Sequence, residues 1–258
     1  MMAAMAPMDR LTKLRENLPE MLRRVGAGEP PLFPPADPLQ YPKFLIPDIP
    51  SKPWFEAEEL AWTRAFTESH VAICAELEAF LAQQAVTFRN YIGPIDHGGA
   101  DAGAWHVLYL DYRGRRWEQH CAQFPRLMAL LETVPRRSGT AFISRLTPGA
   151  HIPKHSGATN TQLTCHFGLV VPDRVEMRVG HEIRRQVAGH CSVFDDSFEH
   201  EVWNHSDRDR YNVFMQFWHP DLSDAEVAGI QELEKVPAIQ AVIAQYLEGA
   251  VALAPVGN

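Results

Sequence analysis

Near residue 105 the chain changes its period, and that change constrains the fold more than any other feature. Seven runs, 107–112, 140–146, 162–171, 175–179, 182–187, 191–194 and 210–218, are short, apolar or alternating, and bounded by glycine and proline. A strand turns successive side chains to opposite faces, so alternation over such lengths reads as β. Gly180 and His181 separate two of the runs and suit a two-residue hairpin turn with glycine first. Many short strands packed into one stretch predict a β-sandwich or jelly roll.

Helical spacing appears on both sides of that stretch. Leu11, Leu14, Leu18, Met21, Leu22 and Val25 share one face, ended near Gly26 and Gly28. Such a helix suits docking on the chain's own core or on a second copy, so a homo-oligomer is an open expectation. Residues 29–53 hold nine of the 20 prolines, which excludes a helix or an interior strand. They predict an extended arm packed through Phe33, Tyr41, Phe44 and Ile46. A helix is expected over 56–84, with Phe66, His70, Ile73, Leu77, Phe80 and Leu81 on one face. A shorter one fits 125–134, with Pro125 in its first turn. Ser223 and Glu226 match a capping box, and Pro237 starts a further helix carrying Ile239, Val242, Ile243 and Leu247. The expected organisation is a single domain over 1–258: a helical and proline-rich support (1–100), a jelly-roll core (101–220) and C-terminal helices (221–258).

Hydrophobic residues make up 46% of the 258 positions, enough for a substantial core. A net charge of −8 argues against a general nucleic-acid binder. Cys74, Cys121, Cys165 and Cys191 form no CxxC pair and read as reduced thiols of a cytoplasmic protein. Asp9, Arg10, Lys13 and Arg15 interrupt any apolar leader, and no stretch reaches the ~18 apolar residues of a membrane helix. No membrane partner is expected.

Two distant histidines and an arginine carry the chemistry. His155 precedes HSGATN's small residues, where a backbone can approach a ligand closely. His151 lies four residues earlier, but Pro148, Gly149 and Pro153 exclude a helical metal pair, and His151 reads as structural. His200 lies in FDDSFEHEVW. Asp195 and Asp196 just before it have three readings: an acid/base or metal-ligating pair, turn residues bonding backbone N–H groups, or a support for a ligating imidazole. Arg210 follows ten residues later, within SDRDR, where a surface ion pair is one reading. Its neighbours Tyr211, Val213 and Phe214 instead start a buried strand. Non-haem Fe(II) takes imidazole ligands and must keep open positions. Arginine offers a bidentate fork to the far carboxylate of a dicarboxylate such as 2-oxoglutarate.

Through PGAHIPKHSGATN, HFGLVVP, FDDSFEHEVWN and FWHP, the chain resembles the aspartyl/asparaginyl β-hydroxylase family of Fe(II)/2-oxoglutarate-dependent oxygenases. The likeness covers roughly residues 100–220, with a weaker match at Pro53 to Phe55. It implies a mainly β double-stranded β-helix (jelly roll, cupin-like) with flanking helices, bound Fe(II), and use of 2-oxoglutarate and O2. It assigns His155 and His200 to iron, and Arg210 and Ser144 to the far carboxylate. It sets His166 near the chelating end and Trp105 in the pocket wall. Gly157 stands where most related oxygenases carry an acidic ligand, and its lack is characteristic of this family. The animal peptide hydroxylases carry basic residues at positions corresponding to Phe142, Gln162 and Thr164; none is basic here.

The resulting expectation is a dioxygenase hydroxylating an unactivated C–H of a small amino acid, short peptide or natural-product intermediate, with succinate and CO2 as co-products. The competing expectations are an aspartyl/asparaginyl peptide β-hydroxylase, and a non-catalytic 2-oxoglutarate- or metal-binding sensor.

Overall fold

Inward- and outward-facing residues alternate along strands of two antiparallel sheets in the computed structural model, which describes residues 9–83, 88–90, 104–112 and 114–241. The strands are β1 (Trp54–Phe55), β2 (Arg89–Asn90), β3 (Trp105–Tyr112), β4 (Arg115–Arg116), β5 (Arg137–Leu146), β6 (His151–His155), β7 (Gln162–Val170), β8 (Val175–Val179), β9 (Glu182–Arg185), β10 (Cys191–Phe194), β11 (His200–Asn204) and β12 (Arg210–Trp218). Eight form one sheet in the order β1-β10-β7-β12-β5-β3-β2, with β4 on β3; the other four run β6-β11-β8-β9. Residues of both sheets meet in one apolar cluster, including Phe194 and Leu146 from the larger and Ile152, Met177 and Val202 from the smaller. This is the predicted jelly roll, a double-stranded β-helix with flanking helices. Gly180 takes φ 59 in the β8–β9 turn, as its position predicts.

Helices α1 (Arg10–Ala27), α2 (Thr63–Leu81), α3 (Glu118–Cys121), α4 (Pro125–Leu131) and α5 (Asp224–Glu234) flank the sheets. The apolar face of α2, with Phe66, Ile73 and Leu77, joins Leu127 and Leu131 of α4 against the outer face of the larger sheet, at Leu110, Ile143, Phe167 and Val213. Burying one such side chain contributes about 1.5–3 kcal/mol. The helix expected from residue 56 starts at Thr63, after a single 3-10 turn at Ala57–Glu59. Asp9 caps α1, and Gly28 ends it in the left-handed conformation. The Ser223–Glu226 capping box forms as read. Of the helix expected after Pro237, Val242, Ile243 and Leu247 lie outside the described residues. The four cysteines are free thiols.

The proline-rich arm packs Ile46 with Phe33 and Phe44 against α1 and α5. Tyr41 departs from the expectation: it stays exposed and donates its hydroxyl to Glu199. Its backbone does more than its side chains. Glu199 donates N–H to Leu39 O, Tyr41 to Ser197 O and Phe44 to Ala158 O. Asn160 bonds both the N–H and the C=O of Ile46, at 2.8 and 2.9 Å. A chain without helix or ladder must place its backbone groups elsewhere. Here they tie down the loop after β6 and the loop before β11.

Candidate active site

Those two strapped loops flank the histidines. β6 ends on His155, β11 begins on His200, and the two residues are direct antiparallel partners. Their ring centroids lie 4.1 Å apart. His155 Nδ1 is 2.7 Å from Pro153 O, and His200 Nδ1 is 2.9 Å from Phe198 O. A carbonyl only accepts, so each Nδ1 carries the hydrogen and each Nε2 presents a lone pair. An outer bond of this kind orients a metal-ligating imidazole and selects its tautomer. Burial pushes the His155 pKa down, and burial together with the neighbouring His155 pushes His200 well down, which favours the neutral, ligating form.

At position 157 geometry blocks a side-chain ligand. A Cβ built on Gly157 would fall 2.4 Å from Asp196 Oδ1, and Gly157 N–H donates to Asp196 O at 2.6 Å. Asp196 occupies the space that an acidic residue at 157 would need. No cluster of three or more His, Cys, Asp or Glu side chains suited to a metal occurs among the described residues. Asp196 accepts from Thr164 Oγ1 (2.8 Å) and Gln216 Nε2 (3.1 Å), and burial raises its pKa to about 6. It bonds neither imidazole among the described residues, so the imidazole-support reading does not hold in that form. Asp195 is the turn residue: its Oδ1 accepts from Ser197 N–H at 2.9 Å, and burial raises its pKa to about 7. We expect Gly157→Ala to lower stability by about 1–3 kcal/mol in denaturant unfolding, because the methyl must displace Asp196 from its two partners. Gly157→Asp is expected to destabilise further rather than add a metal ligand. Unchanged unfolding midpoints would refute this reading.

The larger sheet sets the rest of the site in cross-strand rows on its inner face. Arg210 pairs with Leu146, which pairs with Trp105. Asn212 pairs with Ser144 and Gly168 in the next row. Phe214 pairs with Phe142 and His166 in the third, and Gln216 with Thr164 in the fourth. Arg210 is 1% exposed, so the surface ion pair in SDRDR does not form. Asn204 Nδ2 donates to Leu146 O, Thr147 O and Arg208 O, closing the turn that delivers Arg210 into its strand. Trp105 Nε1 donates to Ser144 Oγ at 2.9 Å, and Arg210 Nη1 reaches the same oxygen at 3.4 Å. Arg210 Nε and Nη2 are buried without a partner among the described residues. Burial lowers the Arg210 pKa to about 9. His166 is half-buried between Phe194 and Phe214, with Nδ1 3.2 Å from Gln186 Nε2. Burial, then the charge of Arg210, drives its pKa well down.

All six residues read from the sequence therefore belong to one neighbourhood. His200 and His166 pack on Phe194 and His155 on His200, and Trp105, Ser144 and Arg210 form a connected polar group. His151 stays outside, as expected, bonded to Glu201 at 3.0 Å and stacked on Trp203. His219 of FWHP is a core residue set edge-on to Phe55. Asn212 escaped the sequence reading. Its signal was an amide between Tyr211 and Val213, two residues after Arg210 and so on the same face of β12.

Residues 67–220 match the family model described as aspartyl/asparaginyl beta-hydroxylase. The chain belongs to this family. The ornithine lipid ester-linked acyl 2-hydroxylase of Rhizobium tropici is 32% identical over 192 residues, 72% of this chain and 66% of that protein. Aspartate beta-hydroxylase domain-containing protein 2 of Xenopus tropicalis is 32% identical over 73% of this chain and 53% of its own length. The human aspartyl/asparaginyl beta-hydroxylase is 35% identical over 57% of this chain and 19% of its own length. This member of the β-hydroxylase family thus spans from about one fifth to about two thirds of these relatives. Among its described residues no helix is long and apolar enough to cross a membrane.

Proposed function

We propose that the protein is an Fe(II)/2-oxoglutarate-dependent hydroxylase. One observation carries the reading: a fully buried guanidinium that has, among the described residues, two unpartnered nitrogens and no carboxylate bonded to it. A buried cation without a counter-charge is costly, so such a pocket calls for an anion. The same interior holds two histidines with their Nε2 lone pairs set by backbone bonds.

His155 and His200 would hold the iron, and their two neutral nitrogens fit a site that must keep positions open. Bound iron supplies the activation of O2 that oxidation of an unactivated C–H requires. The protein's own groups bind and orient. Arg210 receives the far carboxylate of 2-oxoglutarate, and the Ser144 hydroxyl donates to it. The Trp105 N–H occupies an acceptor site of Ser144 Oγ and turns that hydroxyl outward. His166 stands between this pocket and the histidine pair and packs the chelating end. Phe194 and Phe214 exclude water there.

The substrate wall is apolar. Tyr109, Phe142, Phe214 and His166 are cross-strand partners in one row over β3, β5, β12 and β7. Phe142 and Phe214 stack at 4.3 Å, and Tyr109 stacks on Trp117. Four adjacent strands span about 14 Å. Phe214 and His166 stay partly exposed in this row over the buried Phe142, and an aromatic face there favours a substrate with an apolar portion over an aspartyl side chain. The acyl target in the Rhizobium relative's name agrees with that direction.

Mixing the metal-free protein anaerobically with Fe(II) and 2-oxoglutarate should produce the visible charge-transfer band of a chelate. Its absence, with no protection by 2-oxoglutarate against unfolding, removes the proposal. Succinate release in the presence of acyl-bearing compounds, but not aspartyl peptides, is the expected turnover pattern. A chelate with no succinate above background for any candidate favours the non-catalytic sensor.

A further inference from the structure

The Arg210 pocket holds one polar group that the hydroxylase reading does not use. Asn212 is 1% exposed and lies between Tyr211 and Val213 on β12. Its Oδ1 accepts from Arg210 Nη1 at 2.8 Å. That bond settles the amide's orientation, because the nitrogen end cannot accept from a guanidinium. Nδ2 is then the amide's free end, and it too is buried without a partner among the described residues. Asn212 pairs across the sheet with Ser144 on one side and Gly168 on the other. Gly168 offers no side chain to meet it.

The accounting is one-sided. Arg210 Nε, Arg210 Nη2 and Asn212 Nδ2 are buried donors lacking acceptors among the described residues, and the Ser144 hydroxyl already accepts from Trp105 and Arg210. A buried amide left half-satisfied costs free energy that an apolar residue at 212 would avoid. Donors lacking acceptors beside a guanidinium that bonds no carboxylate among the described residues are what a carboxylate satisfies.

We propose that Asn212 is a co-substrate-binding and positioning residue: Oδ1 holds the Arg210 guanidinium, and Nδ2 donates to the carboxylate that Arg210 receives. This rests on the hydroxylase reading for the identity of the carboxylate, 2-oxoglutarate. It makes the pocket a four-donor cradle rather than an arginine–serine pair. It also makes the pocket sensitive to charge at 212, since a carboxylate there would satisfy Arg210 internally.

The test is titration of 2-oxoglutarate into the Mn(II)-loaded protein, with heat as the readout, beside the melting temperature of ligand-free protein. Asn212→Leu should weaken 2-oxoglutarate about tenfold, the effect of one lost bond to a charged group. In turnover its KM for 2-oxoglutarate should rise more than its kcat falls. Asn212→Asp should weaken binding at least a hundredfold and raise the ligand-free melting temperature, because the new carboxylate takes the co-substrate's place. Should Asn212→Asp fail to fold, Asn212→Leu and Asn212→Ser carry the test, with Asn212→Ser between wild type and Asn212→Leu. Wild-type affinity in Asn212→Leu overturns the assignment and leaves the hydroxylase reading standing. A wild-type protein that takes Mn(II) but no 2-oxoglutarate overturns the hydroxylase reading, and Asn212's role with it.

Discussion

Arg210→Met will abolish 2-oxoglutarate binding and raise the melting temperature of the ligand-free protein. The two effects have one cause. Arg210 sits at 1% exposure with Nη1 on neutral oxygens and two nitrogens unpartnered, so its charge has no bonded counter-charge among the described residues. Methionine fills much of the same volume without that charge, and replacing buried ionic groups by apolar ones is often stabilising by 1–4 kcal/mol. The co-substrate's carboxylate would then enter a pocket with no cation. Removing one partner of a buried pair costs about 3–5 kcal/mol, so the affinity should fall by more than a hundredfold. Calorimetric titration and thermal unfolding read the two halves separately. A variant that loses stability and keeps its affinity would show that the guanidinium is structural.

His200→Ala will cost metal affinity far more than it costs the fold. His155 is the imidazole paired with His200, the space beside Gly157 is taken by Asp196, and no group of three ligating side chains occurs among the described residues to compensate. Loss of an outer-shell partner alone typically weakens metal binding 10–100-fold, and loss of a direct ligand should exceed that. The structural loss is smaller: one bond from Nδ1 to Phe198 O and the contact with Phe194, about 1–2 kcal/mol. Competition with a coloured chelator measures the first quantity and denaturant unfolding the second. Equal metal affinity in wild type and His200→Ala would refute the assignment of His200.

The two predictions draw on different levels of organisation. Strand alternation, the helical faces of α1 and α2, the capping box and the Gly180 turn were legible because they depend on neighbours within a few residues. β6 and β11, which carry the histidines, are not among the strands that the sequence period predicts. Pro153 interrupts one, and the other mixes Glu201 and Asn204 with Val202 and Trp203. Their pairing with each other supplies what their local pattern lacks. The arm was legible as extended, because prolines forbid the alternatives. That its backbone straps both histidine loops was not, since those bonds join residues more than 100 positions apart.

At the site, residue types and spacing were enough to single out His155, His200 and Arg210; the family resemblance added Ser144, His166 and Trp105 and supplied the roles. The sequence by itself determined the strand-rich core, the flanking helices and the chemical kinds of group available. Only the tertiary structure decided which groups lack partners. Whether Arg210 is paired, whether Asn212 faces it, and whether Gly157 leaves room for a carboxylate all depend on cross-strand register and on burial from both sheets. A side chain's unmet hydrogen-bonding demand is a property of everything around it, and the chain assembles those surroundings from residues far apart.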